Sequence, residues 1–446
     1  MMRSNFLADL LSTIFETRFS GSAYYDGQPI EELCDALLTA TGEVSGTKTA
    51  RAILAAYRTL SPDAKISFFD YLTEKLDLDA ATVEACAATY REDPTGETLA
   101  ALMSASEPPR QELLRRLNQV PGATAELVNM RLDLLAHLKE HPSFARADID
   151  FTHLLSSWFN RGFLVLRRIN WETPANILEK IIQYEAVHAI NDWDDLRRRL
   201  QPEDRRCFAF FHPSMLDEPL IFVEVALSKG VPGSIQSVLA EERDIIAAET
   251  SNTAVFYSIS NCQEGLKGIS FGNSLIKQVV EDLSADLPQL KTFVTLSPIP
   301  RFNTWLAKQR DEEENALAGV ILSDLESTDS AHREQMLESH ADAIQALAAN
   351  YLVLAKRPDG LPLDPVARFH LGNGAAIHDV HALADTSENG LSQSSSAMVN
   401  YVYELSKVEQ HHEEFVTNRK VATSRAVLSL SRSTIPEKKA KQLANG

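Results

Sequence analysis

The chain contains few cysteines, little positive charge and no long apolar run, and each shortage excludes a class of protein. Its 446 residues include four widely spaced cysteines without a CxxC pair, as in a reduced cytoplasmic protein with incidental buried thiols. The formal net charge of −19 disfavours a nucleic-acid partner, because the phosphates would be repelled. No apolar segment approaches the length that crosses a bilayer, so we expect no membrane association.

The N-terminal segment MMRSNFLADLLSTIFETRF is amphipathic but carries Asp9 and Glu16 and lacks a small-residue cleavage site. These features predict an ordinary first helix rather than a targeting peptide. Together with the cysteine usage, they predict a protein located in the cytoplasm.

The chain changes character near residue 157. A length of 446 residues predicts two or three domains. Up to residue 157, apolar residues recur every three or four positions and turn signals such as Pro121-Gly122 separate the segments, which predicts an all-helical domain. A mixed second domain, 158–446, follows, and its predicted strands are CFAFF (207–211), PLIFVEVAL (219–227), TAVFYSI (253–259) and KTFVTL (291–296).

The last two of these strands flank the helical segment NSLIKQVVEDLSADLP, so together they predict a βαβ unit with parallel pairing. The loop before that helix, SNCQEGLKGISFGNS (260–274), carries Gly265, Gly268 and Gly272. Free N–H groups at a helix N-terminus favour a bound phosphate, although a flexible turn uses glycine equally well. The loop also resembles, in part, the pyrophosphate-binding segment of N-acetyltransferase-like (GNAT) folds, with Lys267, Ser270 and Gly272 at the pattern positions.

Ser297 lies in TLSPIPRFNTWL, at the end of the second strand of the βαβ unit, and Pro298 restricts its backbone to extended geometry. The carboxyl ends of parallel strands line the crevice that binds ligands in open sheets, so Ser297 and the glycine loop are predicted to face one crevice. By itself the segment is equally consistent with a strand that simply stops. His370 precedes a Gly-Asn-Gly turn and, from the residues alone, remains an ordinary hydrogen-bonded histidine. His378 and His381 have a usable metal spacing but no partner pair, so no metal site is predicted.

Six segments in this order resemble the malonyl-CoA decarboxylase family: RCFAFFHPSMLDEPLIFVEVAL, AVFYSIS, GLKGISFGNSLIKQVVEDL, LSPIPRFNTWL, ARFHLGNGA and ADTSENG…MVNYVYEL. The resemblance implies an α+β chain in which a helical oligomerisation domain (1–157) precedes a GNAT-like α/β catalytic domain (158–446). It also implies a homo-oligomer, a dimer or tetramer formed through the helical domain.

The resemblance assigns functional residues by motif. It implies that Ser297 of LSPIP and His370 of FHLGNGA are catalytic, and that Ser258 and Tyr403 assist them. The loop that contacts malonyl-CoA corresponds to Lys267, Gly268, Ile269, Ser270, Phe271, Gly272 and Asn273. Animal members of the family have a functional glutamate where this chain has Ser270, so a role for that carboxylate does not carry over.

Malonyl-CoA carries its own electron sink, because its thioester carbonyl accepts the electrons released with CO₂. The resemblance therefore implies no pyridoxal, thiamine or metal cofactor. In the expected mechanism, Ser297 hydrogen-bonds the malonyl group and acts as proton acceptor, while His370 donates the proton that yields acetyl-CoA. Asp385 is expected either to orient a histidine or to cap a turn.

Three alternatives remain open on the sequence. An acyl-CoA N-acyltransferase on the same fold would need an acceptor amine, whereas CO₂ release without amine identifies a decarboxylase. A Ser-His thioesterase is disfavoured, since Ser297 does not lie in a Gly-x-Ser-x-Gly elbow and Pro298 offers no N–H to an oxyanion. A non-catalytic CoA-binding scaffold would bind CoA without turnover.

Overall fold

In the computed structural model of the chain, the described residues are 27–269, 275–311, 316–328 and 332–433. They divide into two compact units. The first unit comprises residues 27–163, 213–216 and 263–269, and the second comprises 164–212, 217–262 and the described residues from 275 onward. None of the helices in the described part of the chain is both long and apolar enough to span a membrane. The N-terminal helix predicted from the sequence lies outside the described residues.

The first unit is helical, as the apolar periodicity predicts. Its helices are α1 (Ile30–Thr39), α2 (Glu43–Arg58), α3 (Pro62–Glu74), α4 (Ala80–Glu92), α5 (Gly96–Ala105), α6 (Pro109–Leu117), α7 (Ala123–His137) and α8 (Ala145–Trp158). The turn signals act as helix starts: Ser61 accepts a hydrogen bond from the backbone N–H of Ala64 at the start of α3, and Pro62 occupies the first turn. The predicted domain boundary after residue 157 falls in the last turn of α8.

A buried ion pair crosses the core of this unit. Arg110 of α6 contacts Asp150 of α8, and both side chains are 5% exposed. Arg110 Nη1 also lies 2.9 Å from Asp77 Oδ1. Because an unpaired charge in such surroundings is costly, the pair fixes how α6 and α8 pack.

Helices α4 and α5 form a hairpin that contributes nothing to the core of the first unit. Neither helix has a buried residue. The hairpin nevertheless presents apolar side chains, of which Leu99 is 40% and Met103 66% exposed. A helix in water gains most of its stability from packing an apolar face against a partner. Within the described chain this hairpin lacks such a partner.

The second unit is built on a mixed sheet. Its strands are β1 (Val165–Ile169), β2 (Arg205–His212), β3 (Met215–Ser228), β4 (Thr253–Asn261), β5 (Thr292–Thr295), β6 (Ser297–Pro298), β7 (Ala376–His381) and β8 (Met398–Val402). They are ordered β1-β2-β3-β4-β5-β8-β6, and β7 also pairs with β8. Strands β4 and β5 are parallel, whereas β3 with β4 and β5 with β8 are antiparallel. A helical region followed by a mixed-sheet unit confirms the predicted fold class.

Pairing between the parallel strands β4 and β5 stops where β5 ends, partway along β4. Their paired register ends at Phe256 and Thr295. A β-bulge lies in β4 at Tyr257, since Glu224 pairs with Ser258 but Val225 pairs with Phe256. Bulges increase local twist and end pairing, so β4 continues along β3 while the chain beyond β5 turns towards β8.

Twelve helices in the described part of the second unit surround the sheet. They are α9 (Ala175–Tyr184), α10 (Trp193–Leu200), α11 (Ile235–Leu239), α12 (Leu275–Asp286), α13 (Phe302–Asp311), α14 (Ala316–Ser327), α15 (Arg333–Ser339), α16 (Ala341–Val353), α17 (Pro365–Gly372), α18 (Glu388–Ser394), α19 (Val408–Asn418) and α20 (Arg425–Ser433). The predicted crossover helix is confirmed as α12, whose buried face includes Ile276, Val279 and Leu283.

The serine-rich segment SQSSS (392–396) is helical in its first half. Helix α18 begins after Ser387, whose side chain caps the first turn by accepting from the N–H of Gly390, and it extends to Ser394. Ser395 and Ser396 then take positive φ values of 48° and 68°, which end the helix. The segment ENGLSQS has no apolar periodicity, so the sequence pattern does not reveal this helix.

Candidate active site

A cavity of about 260 Å³ lies in the second unit, near the point where β4 and β5 separate. Most of its wall is apolar. This part includes Ile221, Val223, Phe256, Ile259, Leu275 and Ile276. Ser297, His370 and Asn261 are among its few polar residues. An apolar cavity with a few convergent polar groups is the usual form of a small-molecule site.

Ser297 stands in the two-residue strand β6 and is 6% exposed. Its hydroxyl oxygen lies 3.2 Å from His370 Nε2. The same hydroxyl donates to Thr295 Oγ1 at 2.8 Å. The extended geometry that Pro298 imposes therefore directs Ser297 to a histidine 73 residues away.

His370 is in the last turn of helix α17 and is 3% exposed. The helix starts rigidly: Asp364 accepts a hydrogen bond from the Ala367 N–H at 2.7 Å, and Pro365 occupies the first turn. The imidazole stacks on the ring of Tyr401, with centroids 4.5 Å apart. Its Nδ1 lies 2.8 Å from the Tyr403 hydroxyl. The structure thus brings together three of the predicted catalytic residues.

The hydrogen-bond chain through these residues has one continuous donor direction. If Tyr403 donates to Nδ1 of His370, then Nε2 carries the ring proton and donates to Ser297, whose hydroxyl donates to Thr295. Thr295 Oγ1 also accepts from the Tyr401 N–H at 3.2 Å. In this arrangement the Nε2–H of His370 points towards the reactive serine.

Burial determines the charges of His370 and Tyr403. Desolvation lowers the pKa of His370 to about 3, so the imidazole is neutral at physiological pH in the free protein. Desolvation also raises the pKa of Tyr403 well above its ordinary value, so this residue remains a phenol. The site is therefore neutral before an anionic substrate enters.

Thr295 is a site residue that the sequence analysis missed. Thr295 and Ser297 are two positions apart in an extended chain, and such residues have side chains on the same side. The spacing Thr-Leu-Ser in TLSPIP therefore contained the signal. No feature of the sequence by itself marked the threonine as a hydrogen-bond acceptor for the serine.

Ser258 bonds to a carboxylate rather than to Ser297 or His370. Its hydroxyl donates to the carboxylate of Glu185, at 2.9 Å to Oε1 and 2.7 Å to Oε2, and it does not line the cavity. Glu185 also accepts from the N–H groups of Val187 and His188, each at 2.7 Å. A catalytic role for Ser258 stays a prediction, and the structure shows it anchoring the segment after α9.

Of the predicted CoA-binding loop, Lys267, Gly268 and Ile269 are described and belong to the first unit. Ser270, Phe271, Gly272 and Asn273 lie outside the described residues. Lys267 is exposed and Ile269 buried. Gly268 has a φ of +83°, which an L side chain rarely adopts.

The other polar residues noted in the sequence are placed as follows. Asp385 caps a turn, accepting from the Ser387 N–H at 3.0 Å. Lys277 pairs with Glu409 at 3.6 Å on the surface. No three His, Cys, Asp or Glu side chains in the described ranges are grouped to hold a metal ion.

Two family models match the chain. The model of the malonyl-CoA decarboxylase N-terminal domain matches residues 76–159, and that of the malonyl-CoA decarboxylase C-terminal domain matches residues 162–443. The curated mitochondrial malonyl-CoA decarboxylase of Anser anser anser is 35% identical over 350 residues, which are 72% of this chain and 69% of the relative. The Mus musculus enzyme is 34% identical over 351 residues, 71% of this chain and 70% of the relative.

Solved structures of malonyl-CoA decarboxylases are also similar to this chain. Malonyl-CoA decarboxylase from Rhodopseudomonas palustris has a TM-score of 0.84 and 50% identity, covering 90% of this chain and 98% of its own. The Agrobacterium vitis protein has a TM-score of 0.84 and 48% identity, with coverages of 90% and 99%. The similarity places this chain among the carboxy-lyases, enzymes that break a carbon–carbon bond and release CO₂. Within that class, the chain belongs to the malonyl-CoA decarboxylase family.

The depressed pKa of His370 makes the stability of the protein depend on pH. Between pH 3 and about 6.5 the unfolded chain binds a proton at this residue and the folded chain does not, so His370 reduces stability as the pH falls. We expect the unfolding free energy of the wild type to fall more steeply between pH 6.5 and 4 than that of His370→Asn. The difference in slope should approach about 1.4 kcal/mol per pH unit. Urea unfolding at a series of pH values measures it, and parallel slopes would show that the histidine is not buried as a neutral ring.

Proposed function

We propose that the protein decarboxylates malonyl-CoA to acetyl-CoA and CO₂ without a cofactor, using Ser297 and His370 as a proton-transfer pair. The observation that carries the proposal is the 3.2 Å contact between the Ser297 hydroxyl and His370 Nε2 at the wall of an apolar cavity. Membership of the malonyl-CoA decarboxylase family supports the same reaction.

The apolar wall suits the loss of CO₂. A carboxylate concentrates its charge on two oxygens, whereas the transition state spreads that charge through the thioester towards an enolate. Removing water weakens the solvation of the concentrated charge more than that of the spread charge. A cavity lined by Ile221, Phe256 and Leu275 therefore favours the transition state over the bound carboxylate. Ser297 and His370 supply the hydrogen bonds that hold the reacting group in place.

In this proposal, binding of the substrate turns His370 into a proton donor. His370 is neutral in the free protein because its surroundings disfavour an added charge. A malonyl carboxylate beside it supplies the missing counter-charge and raises the pKa of His370, so that a proton is taken up when the substrate binds. When the bond between the carboxylate carbon and the α-carbon breaks, its electron pair stays on the α-carbon. His370 donates its Nε2 proton to that carbon and becomes neutral again, while Ser297 hydrogen-bonds the malonyl group during the transfer.

The remaining assignments are part of the proposal. Tyr403 holds Nδ1 of His370 by its 2.8 Å hydrogen bond and so orients Nε2 towards Ser297. The loop from Lys267 to Asn273 is proposed to bind the CoA phosphates, with the exposed Lys267 as a cation for them. Ser258 remains a proposed assisting residue, and location in the cytoplasm remains a prediction.

The variants Ser297→Ala and His370→Asn test the pair. We expect each to lower kcat for CO₂ release from malonyl-CoA by about 10² to 10³, the effect typical of removing one hydrogen-bond donor from a reacting centre. Because the two groups act as one unit, the double variant should be little worse than either single variant. The measurement is CO₂ evolution together with acetyl-CoA formation, without any added amine.

Matched controls separate chemistry from packing. Ser251→Ala removes another buried serine of the second unit, one that bonds only to the Ala248 carbonyl among its described partners. His340→Asn removes a histidine that contacts Asp324. Both controls should retain kcat within about twofold. Near wild-type turnover in either Ser297→Ala or His370→Asn would refute the assignment.

We further propose that the chain forms a homo-oligomer, a dimer or tetramer, through its helical region. The hairpin of α4 and α5 supports this, because it has no buried residue in the described part of the chain and presents Leu99 and Met103. A second copy of this chain would supply the packing that the hairpin lacks.

Light scattering tests the oligomer. The wild type should show a mass that is two or four times 49.4 kDa, the mass of one chain. The double variant Leu99→Glu/Met103→Glu should shift the mass towards one chain, since two charges cannot be buried unpaired at an interface. Val416→Glu, at a 47% exposed position of the second unit, is the control and should leave the mass unchanged. A monomeric wild type at micromolar concentration would contradict the proposal.

A further inference from the structure

We propose that Arg131, in helix α7, is a positioning residue that fixes the first half of the predicted CoA-binding loop and so determines the affinity for the nucleotide part of the substrate. The inference rests on the proposed function and deepens it. It gives the helical region, which the sequence marks only as an assembly module, a part in substrate binding. Arg131 and loop residues 263–269 belong to the same compact unit.

The guanidinium of Arg131 holds two carbonyl groups of the loop. Its Nη1 donates to the Gly265 carbonyl at 2.8 Å and to the Lys267 carbonyl at 2.9 Å. The two carbonyls belong to the middle residue of the short turn Glu264–Leu266 and to the residue that follows the turn. The loop is therefore tied to α7 at the residue where the predicted phosphate contacts begin.

The other donors of Arg131 are also occupied. Nε donates to Asp148 Oδ1 at 2.7 Å, and Nη2 donates to Thr152 Oγ1 at 3.1 Å and to Asp148 Oδ2 at 3.5 Å. All five N–H bonds of the guanidinium are thereby used, and Arg131 is 3% exposed. A lysine has only three donors on a flexible stem and cannot reproduce this fork.

A second contact fixes the same segment independently. A Cβ on Gly265 would lie 2.0 Å from the carbonyl oxygen of Val128, so the loop backbone rests directly on α7, one turn before Arg131. Leu266 and Ile269 are buried, at 3% and 7% exposure. The loop is thus in close backbone contact with α7 at Gly265, one of the two residues whose carbonyls Arg131 holds.

The consequence for a ligand is preorganisation. The Lys267 backbone is held by its carbonyl while its side chain is exposed, and Gly268 turns the chain away with a φ of +83°. A loop already fixed in one geometry loses less conformational freedom when it binds phosphate than a free loop does. We call the two hydrogen bonds from Arg131 Nη1 to the loop carbonyls the clamp. Releasing the clamp should weaken nucleotide binding and leave the chemical step intact.

The test compares two substrates in Arg131→Lys. With malonyl-CoA we expect KM to rise about tenfold while kcat stays within about twofold, the signature of lost uniform binding. With malonyl-N-acetylcysteamine, a thioester that lacks the nucleotide and its phosphates, KM should not change relative to the wild type. The dissociation constant of free CoA, measured by calorimetry, should rise by the same factor as KM for malonyl-CoA.

Arg110→Lys is the matched control. Arg110 is a buried arginine of the same unit, is paired with two carboxylates and does not bond to the loop. This variant should lose stability while keeping the wild-type KM for malonyl-CoA. If Arg131→Lys fails to fold, Asp148→Asn provides a milder release of the clamp, and about a threefold rise in KM is expected.

Two outcomes would overturn the inference. One is an unchanged CoA affinity in a folded Arg131→Lys or Asp148→Asn protein. The other is an equal loss with both thioesters, which would show a general structural effect. A failure of the proposed function is distinguishable, since it would appear as absence of CO₂ release by the wild type, whereas CoA binding can be measured without turnover.

Discussion

The hydrogen bond between Ser297 and His370 is the interaction on which the site depends. It joins Ser297 of the short strand β6, two residues beyond the parallel strand β5, to His370 in the last turn of α17, and both side chains are buried. Burial keeps the histidine neutral, and a hydrogen bond donated by Tyr403 to Nδ1 places the single ring proton on Nε2, which then donates to the serine. A polar group that kept the imidazole protonated in the free protein would make the charge on His370 independent of the substrate carboxylate.

The fold supplies this pair through one irregularity in the sheet. Strands β4 and β5 begin as regular parallel neighbours and separate where the bulge at Tyr257 occurs. The chain after β5 then pairs with β8, which places Ser297 beside Val399 and leaves room for the cavity. The helical unit contributes differently, because its buried arginine Arg131 holds the loop that precedes α12.

Local patterns revealed much of this from the sequence, and long-range contacts explain the rest. The four strands and the crossover helix followed from β-branched runs and helical periodicity, which are local properties. The family-specific motifs identified Ser297 and His370, but their 3.2 Å contact depends on tertiary packing across 73 residues. Thr295 was missed although its spacing to Ser297 was visible. Ser258 bonds to Glu185, a partner that no local pattern indicated, and its assisting role stays a prediction. The clamp by Arg131 was invisible, since no sequence pattern links a helix residue to carbonyl groups 134 and 136 residues later.

Incubation of the protein with malonyl-CoA in D₂O, with no added cofactor or amine, tests the central claim most directly. A protein that delivers one proton to the α-carbon should release CO₂ and form acetyl-CoA carrying a single deuterium in its methyl group, and His370→Asn should do so far more slowly. Free CoA with intact malonate as the products, or no turnover despite CoA binding, would contradict the account.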